Sequence, residues 1–207
     1  MAVKVDRVGV MSEQSTSASP ARRRRADADR SRTAILNAAA QILGEQPDAS
    51  LEDIAKAAAL TRPTVYAHYT SREKLINAVI DHVTEEVVAA MDAIGTPDDQ
   101  PAEVALVRLL DASWRAAERY PLLRRAQPAG PQKAHDLHRP IFDRLSRVIR
   151  RGQHTGEFGR QLPLDWLLAA TVALAHAAAE EVAAQRMTAE DARTVLSDSA
   201  LRILRPT

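Results

Sequence analysis

The 207-residue sequence contains no cysteine, which excludes disulfides and any metal site built on thiolates. Glycine occurs only seven times, which argues against the glycine-rich loops that cradle phosphates. Aromatic residues make up 3% of the chain and β-branched runs are scarce, a poor composition for a β-rich fold. No uninterrupted apolar run reaches 18 residues, so no membrane span is expected. The first twenty residues lack an apolar signal core, and a reducing, cytoplasmic location is the expectation. No G-x-S-x-G elbow, H-E-x-x-H pair, phosphate loop or dinucleotide fingerprint is present, so the chain reads as a non-enzyme without a cofactor. The formal net charge is +1; affinity for a polyanion would have to come from local clustering of charge.

What is present points to helices. Hydrophobic residues make up 45% of the chain, many of them alanine, the best helix former. Residues 1–28 read as a disordered basic arm. In it Ser12–Pro20 is linker-like and Met11 is an alternative start, while Arg22–Arg25 either follows a nucleic-acid backbone or keeps the tail solvated. A first helix is expected over Asp29–Gly44, with Ile35, Ala38, Ala39, Ile42 and Leu43 at helical spacing. A second starts at Ser50, which forms a capping-box pair with Asp53. A third, short helix starts near Thr61–Pro63. A fourth is expected from Thr70, with Glu73 completing its capping box, to about Ile94. Past a loop at Gly95–Pro101, helical patterns cover about 102–119, 121–126, 132–154, 163–186 and 189–204. The fold class is therefore all-α: an N-terminal three-helix unit with a helix-turn-helix (29–75) and a larger helical domain (76–207).

The segment SLEDIAKAAALTRPTVYAHYTSREKL, Ser50–Leu75, carries the functional signal. Two short helices separated by a break of three or four residues have the spacing of a helix-turn-helix. The second is too short and too polar for a core helix. Its start, Thr61, Arg62, Pro63 and Thr64, offers hydroxyl, guanidinium and methyl groups where base edges would lie. Its end, Tyr66, His68 and Tyr69, offers donors suited to phosphates, and Arg72 and Lys74 follow. Tyr69 reads equally well as a core plug.

Three runs in this chain, Ile54–Ala58 (IA-x-x-A), Thr61–Tyr69 (T-x-x-T-x-Y-x-H-Y) and Ser71–Leu75 (S-R-E-x-L), resemble the DNA-binding domain of the tetracycline-repressor (TetR) family. The resemblance is specific over Thr33–Val79. Gly156-Glu157-Phe158 before a long apolar helix also resembles family members. The resemblance implies that Arg62, Pro63 and Thr64 face bases, that Tyr66, His68 and Arg72 hold phosphates, and that Ser50 joins them. It also implies a repressor that leaves double-stranded operator DNA when a small-molecule effector binds. One departure stands out. The family often has glycine in the turn where this chain has Ala59, which must avoid positive φ or absorb about 1 kcal/mol.

For the C-terminal part the resemblance implies dimerisation and effector binding. The segment from Pro163 is apolar nearly all round and needs cover on more than one side. A homodimer through residues 163–186 and 189–204 would supply it. Leu109, Trp114, His138, Phe142 and Trp166 are the candidate effector pocket. His135 and His138 share a helix face, but no paired carboxylates accompany them, and no metal is expected. His176 reads as a hydrogen-bonded core histidine.

Overall fold

A computed structural model describes residues 20–97, 99–120 and 131–206. Among these it is all helical: α1 (Pro20–Glu45), α2 (Leu51–Ala57), α3 (Arg62–His68), α4 (Arg72–Ile94), α5 (Ala102–Glu118), α6 (Pro131–Thr155), α7 (Leu164–Ala183) and α8 (Ala189–Leu204). Residues 1–19, the expected helix at 121–126 and the His135 side chain lie outside the described residues.

Two expected boundaries are corrected. Helix α1 starts at Pro20, not Asp29, so Arg22–Arg25 and the rest of the expected arm from residue 20 lie on its first turns. These turns carry no apolar stripe, but Ala and Arg have high intrinsic propensity and proline fits a first turn. Helix α4 is capped by Ser71, whose side chain accepts from Lys74 N–H. Thr70 is not the cap, and Glu73 falls one position short of the residue that could answer it.

The caps of the first helices follow from their sequence. Ser50 and Asp53 form the full reciprocal box on α2, and Thr61 accepts from Thr64 N–H at the start of α3. Between them, Leu60 N–H bonds the Ala55 carbonyl and Ala59 N–H bonds that of Lys56. This is the paired closure of a Schellman motif, and it requires a left-handed residue, here Ala59 at φ 54. The strain permitted by the sequence is therefore present.

Helices α1–α3 and the first half of α4 share one core, in which Ile35, Ile54, Val65 and Leu75 are completely buried. A second core joins the rest of α4 to α5–α8 around Leu106, Ile149 and Leu167. The segment Gly156-Glu157-Phe158 closes this core. Phe158 packs directly over Gly152, and Glu157 accepts from Ala102 N–H at 2.6 Å, capping α5 where Pro101 cannot. Arg144 on α6 grips Asp92 on α4 with two parallel bonds of 2.9 and 2.6 Å.

Among the described residues α7 is long and apolar enough to cross a membrane by length and composition alone, although Asp165, His176, Glu180 and Glu181 interrupt its apolar run. Its alanines produce this result. Leu167, Leu168, Thr171 and Ala178 are buried, and the helix packs on α6 and α8.

Replacing Ala59 by glycine removes the left-handed strain, about 1–2 kcal/mol, at an entropic cost of roughly 0.5–1 kcal/mol. Denaturant melts of Ala59→Gly should show a modest gain in stability; a clear loss would contradict the left-handed turn.

Candidate nucleic-acid interface and effector cavity

Only Val65 of α3 is fully buried. That single anchor, with Tyr69 just past the helix, seats α3 on the core and leaves Arg62, Pro63, Tyr66 and Ala67 exposed, with Thr64 and His68 half-buried. Arg62 lies over the Tyr66 ring, 5.2 Å from its centroid. It also lies 3.7 Å from Glu52 of α2. An exposed pair of this kind is worth about 0–1 kcal/mol, so a stronger acceptor can take the guanidinium. Thr61 and Thr64 hydroxyls are 2.8 Å apart, and Lys74 donates to the Thr70 hydroxyl at 3.1 Å. The sequence-derived set at Thr61, Arg62, Pro63, Thr64, Tyr66, His68 and Lys74 thus gathers around one short, outward-facing helix.

The other three residues predicted from the sequence, Tyr69, Ser50 and Arg72, are placed differently. Tyr69 is 7% exposed and belongs to the core, and its hydroxyl finds no partner among the described residues. Ser50 uses its hydroxyl on Asp53, accepting from the backbone N–H and donating to the carboxylate at 2.6 Å. These bonds hold the Asp53 carboxyl below the usual range. Arg72 is exposed, but it donates to the carbonyls of Ala49, at 3.3 Å, and Pro47. It ties the loop before α2 to the start of α4.

The larger domain encloses a cavity of about 170 Å³ among α4–α8. Trp114 and His138 line it as expected; Leu109, Phe142 and Trp166 do not. Leu109 is 2% exposed in the core, Phe142 packs against that core, and Trp166 is 62% exposed. The error is one of helical phase. The cavity face of α5 runs through Leu110, Ser113, Trp114 and Ala117, and that of α6 through Leu137, His138, Ile141 and Leu145. A neighbour one residue away points about 100° aside. His176, expected in the core, lines the cavity, and its Nε2 lies 3.1 Å from His138 Nε2. Burial, then the adjacent His138, pushes the His176 pKa down.

One link was not foreseen. Just beyond α5, Tyr120 enters the N-terminal core, where burial and the Glu86 carboxylate raise its pKa. The adjacent Arg119 carbonyl accepts from Gln41 of α1 at 2.6 Å. A lone tyrosine after a helix gives no periodic signal, so the sequence could not single it out.

Residues 35–79 match the model of a family described as bacterial regulatory proteins, tetR family. The HTH-type transcriptional repressor LfrR of Mycolicibacterium smegmatis is 38% identical over 84 residues, 41% of this chain and 44% of that protein. The chain thus matches less than half the length of this relative. The uncharacterised HTH-type regulator TtgW of Pseudomonas putida is 32% identical over 114 residues, with 45% of this chain and 85% of that protein covered. Among solved structures, LfrR in complex with proflavine superposes with a TM-score of 0.67 at 27% identity, covering 86% of this chain and 98% of that one.

Arg62→Ala should reduce discrimination between the preferred duplex and a mismatched one by about 1–3 kcal/mol; an unchanged preference in competition binding would remove Arg62 from base reading. Tyr69→Phe should leave DNA affinity unchanged and stability equal or slightly higher, since it deletes an unsatisfied buried hydroxyl. A weakened complex with normal stability would return Tyr69 to the interface.

Proposed function

The chain belongs to the tetR family of bacterial regulatory proteins, and we propose that it is a homodimeric, ligand-responsive transcriptional repressor that acts in the cytoplasm. The observation that carries this reading is the exposed polar face of α3, seated by Val65 within the segment that matches the family. Residues 29–75 are the DNA-binding unit and residues 76–207 the effector-binding and dimerisation unit. Arg62, Pro63 and Thr64 meet base edges, while Thr61, Tyr66, His68 and Lys74 hold phosphates. Arg72 positions α2 and α4 for them and keeps further donors for a phosphate, since a guanidinium has five.

Dimerisation through α7 and α8 is supported by an uncovered stripe on α7, where Trp166, Ala169, Ala173 and Ala177 are all exposed. Val195 of α8 is 45% exposed as well. A two-fold dimer would present two α3 helices to half-sites about 34–36 Å apart. That LfrR has been captured with proflavine supports an effector role for the cavity in this chain. An effector changes DNA affinity only if it favours one of two arrangements of the protein. Two attachments can carry that difference: α4 itself, and the Gln41–Arg119 and Tyr120 contacts at the end of α5.

Selection from random duplex DNA with the full-length protein should enrich an inverted repeat. Weak, salt-sensitive binding without a preferred sequence would refute the sequence-reading role. Trp166→Glu should shift sedimentation toward monomer and weaken operator binding; an unaltered dimer would place the interface elsewhere. Gln41→Ala should leave effector affinity within a few-fold while shrinking the effector's influence on operator binding, because one cross-link of about 0.5–1.5 kcal/mol is lost. Full responsiveness would remove the Gln41–Arg119 bond from the coupling and leave α4 and the Tyr120 contact to carry it.

A further inference from the structure

The polar groups on the cavity wall have an unequal balance of hydrogen-bond donors and acceptors. Thr84 donates to the Ile80 carbonyl at 2.9 Å, Ser113 to that of Leu110 at 2.8 Å, and Thr171 to that of Leu167 at 2.7 Å. A hydroxyl has one hydrogen and two lone pairs. In each case the hydrogen is committed to the residue's own helix and only acceptor capacity is left for the cavity. Glu118, at the exposed end of the wall, adds a carboxylate. His138 and His176 face each other through their Nε2 atoms at 3.1 Å, so one ring donates to the other there and the accepting ring keeps an Nδ1–H; burial lowers the His176 pKa and disfavours its charged form. Among the described lining residues there is no lysine or arginine, and the Trp114 indole is the one other donor-bearing side chain. The remaining wall is apolar.

We propose that this cavity selects apolar molecules bearing N–H or O–H donors, aromatic amines or phenols, and rejects carboxylates of the same shape. The inference rests on reading the cavity as the effector site. A carboxylate moved into it would leave water for a wall rich in lone pairs, with no lysine or arginine among the described lining residues to meet it. A ligand amine or hydroxyl would instead donate to oxygens that can only accept.

Calorimetric titration of the full-length protein with 2-naphthylamine, 2-naphthol and 2-naphthoate tests this directly. The amine and the naphthol should each bind at least tenfold more tightly than the carboxylate. In Ser113→Ala, and in Thr84→Val combined with Thr171→Val, that advantage should shrink severalfold while the affinity for naphthalene stays the same. Thermal melts of the unliganded variants establish that they fold, and Ser113→Ala, the smallest change, is the one to rely on if the double variant does not. Equal or tighter binding of naphthoate, no binding by any probe, or an undiminished donor advantage in folded variants would each overturn the proposal. Operator binding is measured separately. A protein that selects an operator but prefers naphthoate keeps its regulatory role and loses this ligand class. One that prefers the amine yet selects no operator keeps the ligand class and loses the role.

Discussion

One row of side chains on α4 holds the two halves of the molecule together. Leu75, Val79, Val83, Val87 and Met91 are all buried and spaced four apart. The first three belong to the N-terminal core and the last two to the C-terminal one. At 3.6 residues per turn each step of four advances about 40° around the axis, so the row winds by about 160° from Leu75 to Met91. The two cores therefore grip different sides of one helix, and α4 cannot roll or tilt without disturbing both. Arg144 on Asp92 fixes its far end to α6, while Arg72 fixes its near end to the loop before α2.

Helix α3 depends on that frame. With seven residues and one fully buried side chain, α3 could not hold its shape alone, since isolated helices shorter than about 12–15 residues are marginal in water. Its stability comes from the Thr61 cap, the left-handed turn at Ala59 and the burial of Val65 and Tyr69. Tyr69 shows that the motif also includes packing residues: two side chains, one fully and one nearly buried, seat the helix alongside the exposed groups they position.

Much of this was legible in the sequence. Periodicity and caps located the α2–α3 pair, the loop after α4 and the long apolar helix, because these signals are local and repeat. The start of α1 was missed because its first turns are helical by propensity without an apolar face. The pocket was legible in type but not in phase. Trp114 and His138 were found, whereas Leu109 and Phe142 each lie one position from a wall residue, and Trp166 sits on the uncovered face of α7. Which residues of an apolar face meet a cavity is set by the neighbouring helices, and α7 is apolar on more than one face. The Arg72 carbonyl bonds and the Gln41–Arg119 bond are unreadable for a related reason: their acceptors are backbone atoms, which every residue possesses.

The cavity's position relates these features. Ile80 and Thr84 of α4 form one wall, and Ser113, Ala117 and Glu118 of α5 form another. Immediately beyond these wall residues, Arg119 and Tyr120 follow the end of α5 and reach the N-terminal core. Helices α1–α3 are thus held by two arms, α4 and the residues just past α5, and the cavity lies between the arms close to where both attach. A molecule wedged there must press on both arms near their attachments, where a small change in spacing is least absorbed by the rest of the domain. Close-packed cores shift between discrete arrangements more readily than they stretch. On the proposed reading, an effector therefore acts by changing the separation of α4 and α5, and α3 moves because both arms end in the core that carries it.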